Sequence, residues 1–165
     1  MGYKDLTTLD HDPDLAKALG NLAIAWAYAE STLCCTLARI SGMNINMTMM
    51  GFYRIPTFEA RRKYIQALLL EWKKPGRFDK EAITKKVDAI SDLSATRNDW
   101  IHGVWCFDED KPSQTVIFDF RKAEDKGRRK DVKGPDVQNH VNAVLRHSKE
   151  LSRLINRGGL TGDSD

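Results

Sequence analysis

A mainly α-helical fold is predicted by three features of this chain. Apolar residues recur at three- and four-residue steps over most of its length, helix-capping residues stand at the starts of those stretches, and only one region switches to the two-residue period of strands. The 165 residues suit one domain with a single core. With 41% apolar and 30% charged residues, the composition is that of a globular chain.

The first helix is marked by Asp12-Pro13, an N-cap followed by a proline whose missing N–H costs nothing at the first helical position. Leu15, Leu19, Leu22, Trp26, Ala29, Leu33, Leu37 and Ile40 then form one apolar stripe, and Gly42 ends it. At 1.5 Å per residue this helix is roughly 40 Å long. A short amphipathic piece rich in methionine follows over Met47–Arg54 and is closed by Pro56. Its methionines, with Met43, are expected to fill gaps in the core. Thr57 caps a helix to about Trp72, with Phe58, Tyr64 or Ile65, Leu68 and Leu69 facing inward, and Lys74-Pro75-Gly76 is a loop. Asp79 caps the next helix, whose stripe of Ile83, Val87, Ile90, Leu93 or Ser94, Arg97 and Ile101 runs to Gly103.

The period then changes. Val104–Phe107 and Thr115–Phe120 are β-branched and aromatic runs on either side of a polar loop (DEDKPSQ), which predicts a hairpin. Residues 121–134 are charged and read as an exposed loop. Pro135 or Asp136 opens a last helix with Val137, Val141, Val144, Leu145, Leu151, Leu154 and Ile155 apolar, stopped by Gly158-Gly159. The expected architecture is a bundle of four main helices plus a short helix, with a β-hairpin inserted after the third main helix. It forms one domain over residues 1–158, and residues 159–165 are a disordered tail.

Several function classes are excluded on the same rows. Leu15 to Ile40 carries Lys17, Asn21, Glu30 and Arg39, too polar for a membrane span, and the N-terminus lacks the apolar core of an export signal. Cys34, Cys35 and Cys106 form neither a disulfide framework nor a metal knuckle, which points to a reduced, cytoplasmic setting. Cys34 and Cys35 are expected in core packing. A net charge of +3 permits a nucleic-acid partner without demanding one.

The sharpest local feature is Arg97-Asn98-Asp99-Trp100-Ile101-His102-Gly103. Arg97 falls on the apolar stripe, where an unpaired guanidinium is costly, so it must be paired, line a cavity or meet an interface. His102 stands at the helix C-terminus, where unpaired carbonyls favour a cation. Five residues place the two side chains roughly 140° apart on a regular helix. Either the helix distorts at its end, or the two groups act together through two copies of the chain, with the C-terminal half of the Asp79–His102 helix buried in a dimer. The plainer reading of the same residues is an inward Arg–carboxylate pair and a helix-capping histidine.

This stretch resembles the signature of the HEPN superfamily, an arginine and a histidine separated by four to six residues with a polar residue directly after the arginine, here Arg97-Asn98 and His102. The resemblance extends to the layout over residues 12–157: a long first helix with an inward acidic residue, here Glu30, and the motif near the end of a bundle helix. It implies a small helical bundle that dimerises with its motifs meeting, and an activity as a metal-independent endoribonuclease of the toxin or phage-defence type, with an antitoxin or defence-system partner. Arg97 and His102 are then the catalytic pair, supported by Asn98, Asp99 and Glu30. A tyrosine two residues after the histidine marks one toxin subgroup that is neutralised by modification. Here that position is Val104, which puts such neutralisation in doubt.

The residue types suit RNA cleavage by the neighbouring 2′-hydroxyl. Histidine serves as base or acid near neutral pH, and arginine supplies a forked permanent charge for phosphate oxygens. Asn98 can orient the phosphate or the histidine, and Glu30 or Asp99 can hold Arg97. No metal or other cofactor is expected; His140 and His147 share a helix face but lack neighbouring ligands. Residues 121–133 hold seven basic against three acidic residues. Arg121, Lys122, Arg128, Arg129 and Lys130 would form an RNA-binding arm that tracks phosphates, beside Trp105 and Phe107, which pack in the core or stack on unpaired bases. Two other function classes fit the sequence: a non-catalytic HEPN module binding a nucleotide, RNA or a protein, and a structural helical dimer or adaptor.

Overall fold

The computed structural model describes residues 3–6, 8–72, 78–108, 111–119 and 129–157. Among them the chain is mainly helical, with helices α1 (Pro13–Ser41), α2 (Ile45–Phe52), α3 (Phe58–Glu71), α4 (Lys80–Asp92), α5 (Ser94–His102) and α6 (Gly134–Arg157). Strands β1 (Tyr3–Asp5), β2 (Val104–Asp108), β3 (Lys111–Phe118) and β4 (Arg129–Asp131) form one antiparallel sheet in the order β1-β2-β3-β4. The chain divides into two compact units, one of residues 1–24 and 95–142, the other of residues 25–94 and 143–165. No described helix is long and apolar enough to cross a membrane.

Local chemistry explains the helix starts. Asp12 Oδ1 accepts from the Leu15 amide at 3.0 Å, Thr57 Oγ1 from the Ala60 amide at 3.1 Å, and Asp79 Oδ1 from the Ala82 amide at 2.9 Å. Helix α1 ends at Gly42, whose φ of +71° suits a residue without a β-carbon. Its stripe is buried at Leu15, Leu22, Trp26, Ala29, Leu33, Leu37 and Ile40, with Leu19 half-buried. On α3 the core positions are Ile65 and Leu69, and Tyr64 is exposed.

Three expectations change. The helix expected over Asp79–His102 is two helices separated at Leu93. In α4, Ile83, Val87 and Ile90 are buried, but in α5 the buried residue is Trp100 and Ile101 is 40% exposed. Within α5 itself Arg97 is half-buried, and Trp100 takes the buried place that the expected stripe gave to Ile101. Secondly, the hairpin of β2 and β3 is the middle of a larger sheet. β1 pairs with β2 through Lys4↔Phe107, and β4 pairs with β3 through Ile117↔Lys130. The stretch expected to be an exposed loop therefore holds a strand at 129–131 and a buried Val132. Thirdly, Met43 and the methionines of α2 do not fill the core: Met43, Met47, Met49 and Met50 are all exposed, and α2 buries only Thr48 and Phe52. The expected tail, 159–165, lies outside the described residues.

Within the first unit the end of α5 is set against the sheet by a missing side chain. A β-carbon on Gly103 would lie 2.5 Å from Ile117 Cγ1 and 2.8 Å from the Asp99 carbonyl oxygen. The isoleucine can shift, but the carbonyl belongs to the helix backbone. Gly103→Ala should therefore destabilise the protein by about 1–3 kcal/mol, as overpacking does. Urea unfolding checks this: the midpoint should fall, and Ile117→Val in the same background should restore only part of it.

Candidate functional site

Helix α5 carries the motif, and two groups close its C-terminal end. The Gly103 amide donates to the Asp99 carbonyl at 3.0 Å, so the i→i−4 ladder runs regularly to the end of the helix. The Trp105 indole Nε1–H donates to the Trp100 carbonyl at 3.0 Å, satisfying a second terminal acceptor from the adjoining strand. The Trp100 ring faces inward and meets the His140 ring of α6 edge-on, with centroids 5.0 Å apart. Trp105 thus serves as an anchor for the motif helix, a role the sequence reading missed. The signal available was the indole N–H, which needs an acceptor when it is partly covered.

The motif residues stand as follows. Arg97 is half-buried, and its Nη1 donates to Asn98 Oδ1 at 2.9 Å. Neighbours in a helix do not normally face each other, so this contact depends on the reach of the long arginine side chain. Asp99 is largely covered, and its Oδ2 accepts from Lys130 Nζ at 2.6 Å. His102 is exposed on the last helical residue. Glu30, in the second unit, gives its carboxylate to Arg61, with Nη1 to Oε1 at 3.0 Å.

Sheet pairing explains why Lys130 reaches α5. Ile117 of β3 packs where the Gly103 side chain would be, and Lys130 is the cross-strand partner of Ile117. A charge expected in the basic arm is thereby brought onto the motif helix, which carries two pairs, Arg97–Asn98 and Lys130–Asp99. Arg129 lies next to Lys130 on β4. Arg121, Lys122 and Arg128 lie outside the described residues.

Other candidates have ordinary surroundings. Among the described residues no group of three or more His, Cys, Asp or Glu side chains is placed to hold a metal. His147 Nδ1 lies 3.8 Å from Glu150 Oε2, and the same oxygen pairs with Lys86 Nζ at 2.5 Å. None of the three cysteines is in a disulfide; Cys34 and Cys106 are buried, whereas Cys35, expected in the core, is exposed. Trp105 and Phe107 are half-buried, and the Phe107 ring lies 6.4 Å from that of His11, which itself bonds Thr115 Oγ1 at 3.2 Å. No family model matches the chain, and no curated protein or solved structure is significantly similar to it.

Burial, reinforced by the nearby Lys86 and Arg146 charges, holds the His147 imidazole below its ordinary pKa of 6.5. The unfolded chain then binds this proton at a higher pH than the folded protein does. Its contribution to stability is present above about pH 6.5 and is lost as pH falls toward the depressed folded value. Unfolding in urea at stepped pH values should show a shallower loss of stability below neutrality in His147→Gln than in wild type. Equal slopes would mean that His147 titrates alike in both states.

Proposed function

We propose that this protein is a metal-independent endoribonuclease of the HEPN type, acting on RNA in the cytoplasm as a homodimer in a toxin or phage-defence role. The observation that carries this reading is the 2.6 Å pair between Lys130 and Asp99, which sets a cation of the basic arm against the helix bearing Arg97 and His102. A substrate bound through its phosphates by Arg121, Lys122, Arg128, Arg129 and Lys130 would, at Lys130, meet the helix that bears the motif.

In the proposed reaction the 2′-oxygen attacks the adjacent phosphorus, the 2′-hydroxyl proton passes to His102, and the bond to the 5′-oxygen breaks as that oxygen takes a proton from water, to which His102 then returns its own. The products are a 2′,3′-cyclic phosphate and a 5′-hydroxyl. Arg97, held by Asn98, meets the charge on the phosphorane oxygens. The regular end of α5 keeps Arg97 and His102 on diverging sides, which favours a site assembled from two copies. Ile101, an exposed apolar residue beside His102, suits such an interface.

Purified protein should cleave RNA in EDTA to these products, and a 2′-deoxy substitution at the cleaved position should block the reaction. Arg97→Ala and His102→Ala should each lower the rate by a factor of about 10² or more. His102→Ala should retain RNA affinity, since its task is proton transfer. A folded His102→Ala protein that cuts at the wild-type rate would end the assignment.

The arm has its own test. Combining Arg128→Glu, Arg129→Glu and Lys130→Glu should weaken RNA binding and flatten its dependence on salt, because each lost phosphate contact removes counterion release. Titration by fluorescence anisotropy at several salt concentrations reads both effects, and unchanged slopes would leave the arm as solvated surface.

A further inference from the structure

Helix α2 is apolar nearly all round yet buries only one narrow edge. Thr48 and Phe52 face inward, while Met47 is 63% and Met50 74% exposed, with Ile45, Met49 and Tyr53 also open to solvent. Helices of this composition are ordinarily covered. α2 is nonetheless held at both ends. Asn44 Oδ1 caps its start by accepting from the Asn46 amide at 2.9 Å. At its other end Arg61 lies over the Phe52 and Tyr53 rings at 5.0 and 5.5 Å, donates to the Ile55 carbonyl at 3.0 Å and pairs with Glu30.

Beside α2 runs a groove of about 440 Å³ lined by Cys35, Ala38, Arg39, Gly42, Met43 and Ile45. It continues the exposed face of α1, where Ala27, Tyr28, Ser31 and Cys35 carry no charge. The exposed faces of other helices differ: that of α6 in the same unit presents Arg146, Lys149 and Arg153. From residue 27 to residue 55 the only exposed charges are Arg39, in the groove wall, and Arg54, just past α2; Glu30 is half-buried and already paired with Arg61.

We infer that this face docks an acidic amphipathic helix of a partner protein, with its apolar side chains on Met47, Met50 and the groove and its carboxylates on Arg39 and Arg54. Charge selects this occupant. A second copy would bring more arginines to the face and no exposed carboxylate from the corresponding segment, whereas an acidic helix neutralises both. The concave groove calls for inserted side chains, which a helix supplies at i, i+3/i+4 and i+7 spacing and a lipid surface does not. Methionine suits the task, since its flexible thioether adapts to different apolar shapes. The inference stands independently of the nuclease reading.

The test uses the full-length protein as bait for a displayed library of helix-forming peptides of about 15 residues, long enough to hold a helix once bound. Enriched sequences should carry large apolar residues at helical spacing flanked by Asp or Glu. A labelled peptide of that kind should bind saturably by anisotropy, about tenfold or more weaker to the Met47→Lys/Met50→Lys double variant and several-fold weaker to Arg39→Glu, which leaves α2 intact. Bound peptide should also slow maleimide labelling of Cys35, the exposed thiol in the groove. Circular dichroism and urea unfolding should show both variants folded, since the altered side chains are largely in solvent. Enrichment of basic peptides, or equal enrichment on the double variant, overturns the inference. So does self-association abolished by Met50→Lys, which assigns the face to a second copy. Binding to phosphatidylglycerol vesicles without peptide binding assigns it to lipid and overturns it equally.

Discussion

The contact between the Gly103 backbone and the Ile117 side chain sets where everything at the candidate site can stand. Gly103 directly follows His102, and only a residue without a β-carbon lets β3 come this close to the end of α5. Ile117 pairs with Trp105 on one side, and Trp105 returns its indole N–H to the Trp100 carbonyl. On the other side Ile117 pairs with Lys130, whose ammonium reaches Asp99. One missing side chain thus fixes the helix end, the aromatic anchor and the added cation together.

How much of this could be read in advance follows from how local each signal is. Helix α1 was readable almost completely, because a cap, a proline, a terminal glycine and one broad apolar stripe all lie within its own residues. The break at Leu93 was not, since neither glycine nor proline marks it and the three- and four-residue spacing passes through. Trp100 and Ile101 are adjacent and both apolar, so periodicity does not choose between them; packing against α6 does. Strands β1 and β4 are short and polar, and they become strands because the edges of β2 and β3 offer backbone groups that need partners. That information lies far away in the chain. Arg97, Asn98, Asp99 and His102 lie within six consecutive residues and can be picked out by spacing, but the approach of Lys130 depends on sheet register, which one-dimensional spacing does not contain.

Arg61 shows how a polar position on a helix acquires a structural task. An isolated ion pair that is partly exposed contributes little. Here one guanidinium also covers two aromatic rings and satisfies a loop carbonyl, so its planar, many-donor geometry is used on several sides at once, as lysine could not manage. With α2 held in this way, burial of Phe52 suffices to seat the helix, and its methionines remain free to face solvent.

The two surfaces ask different things of the same physics. At α5 the cations Arg97 and Lys130 are each engaged, one by Asn98 and the other by Asp99, so their heads are held before any ligand arrives. A phosphate entering there must compete with Asp99 for Lys130, and its gain is the difference between the two pairings, not the full strength of a new one. His102 stands exposed on the last turn. At α2 the surface is mostly apolar and its arginines stand open, so affinity comes mainly from removing methionine surface from water, with charge deciding which helix is admitted. An anion with no apolar face gains nothing from the methionines, and an apolar helix without carboxylates leaves Arg39 and Arg54 unmatched. On the readings proposed here the two surfaces would select different ligands from the same surroundings: the first by phosphate charge, the second by an apolar stripe edged with acid.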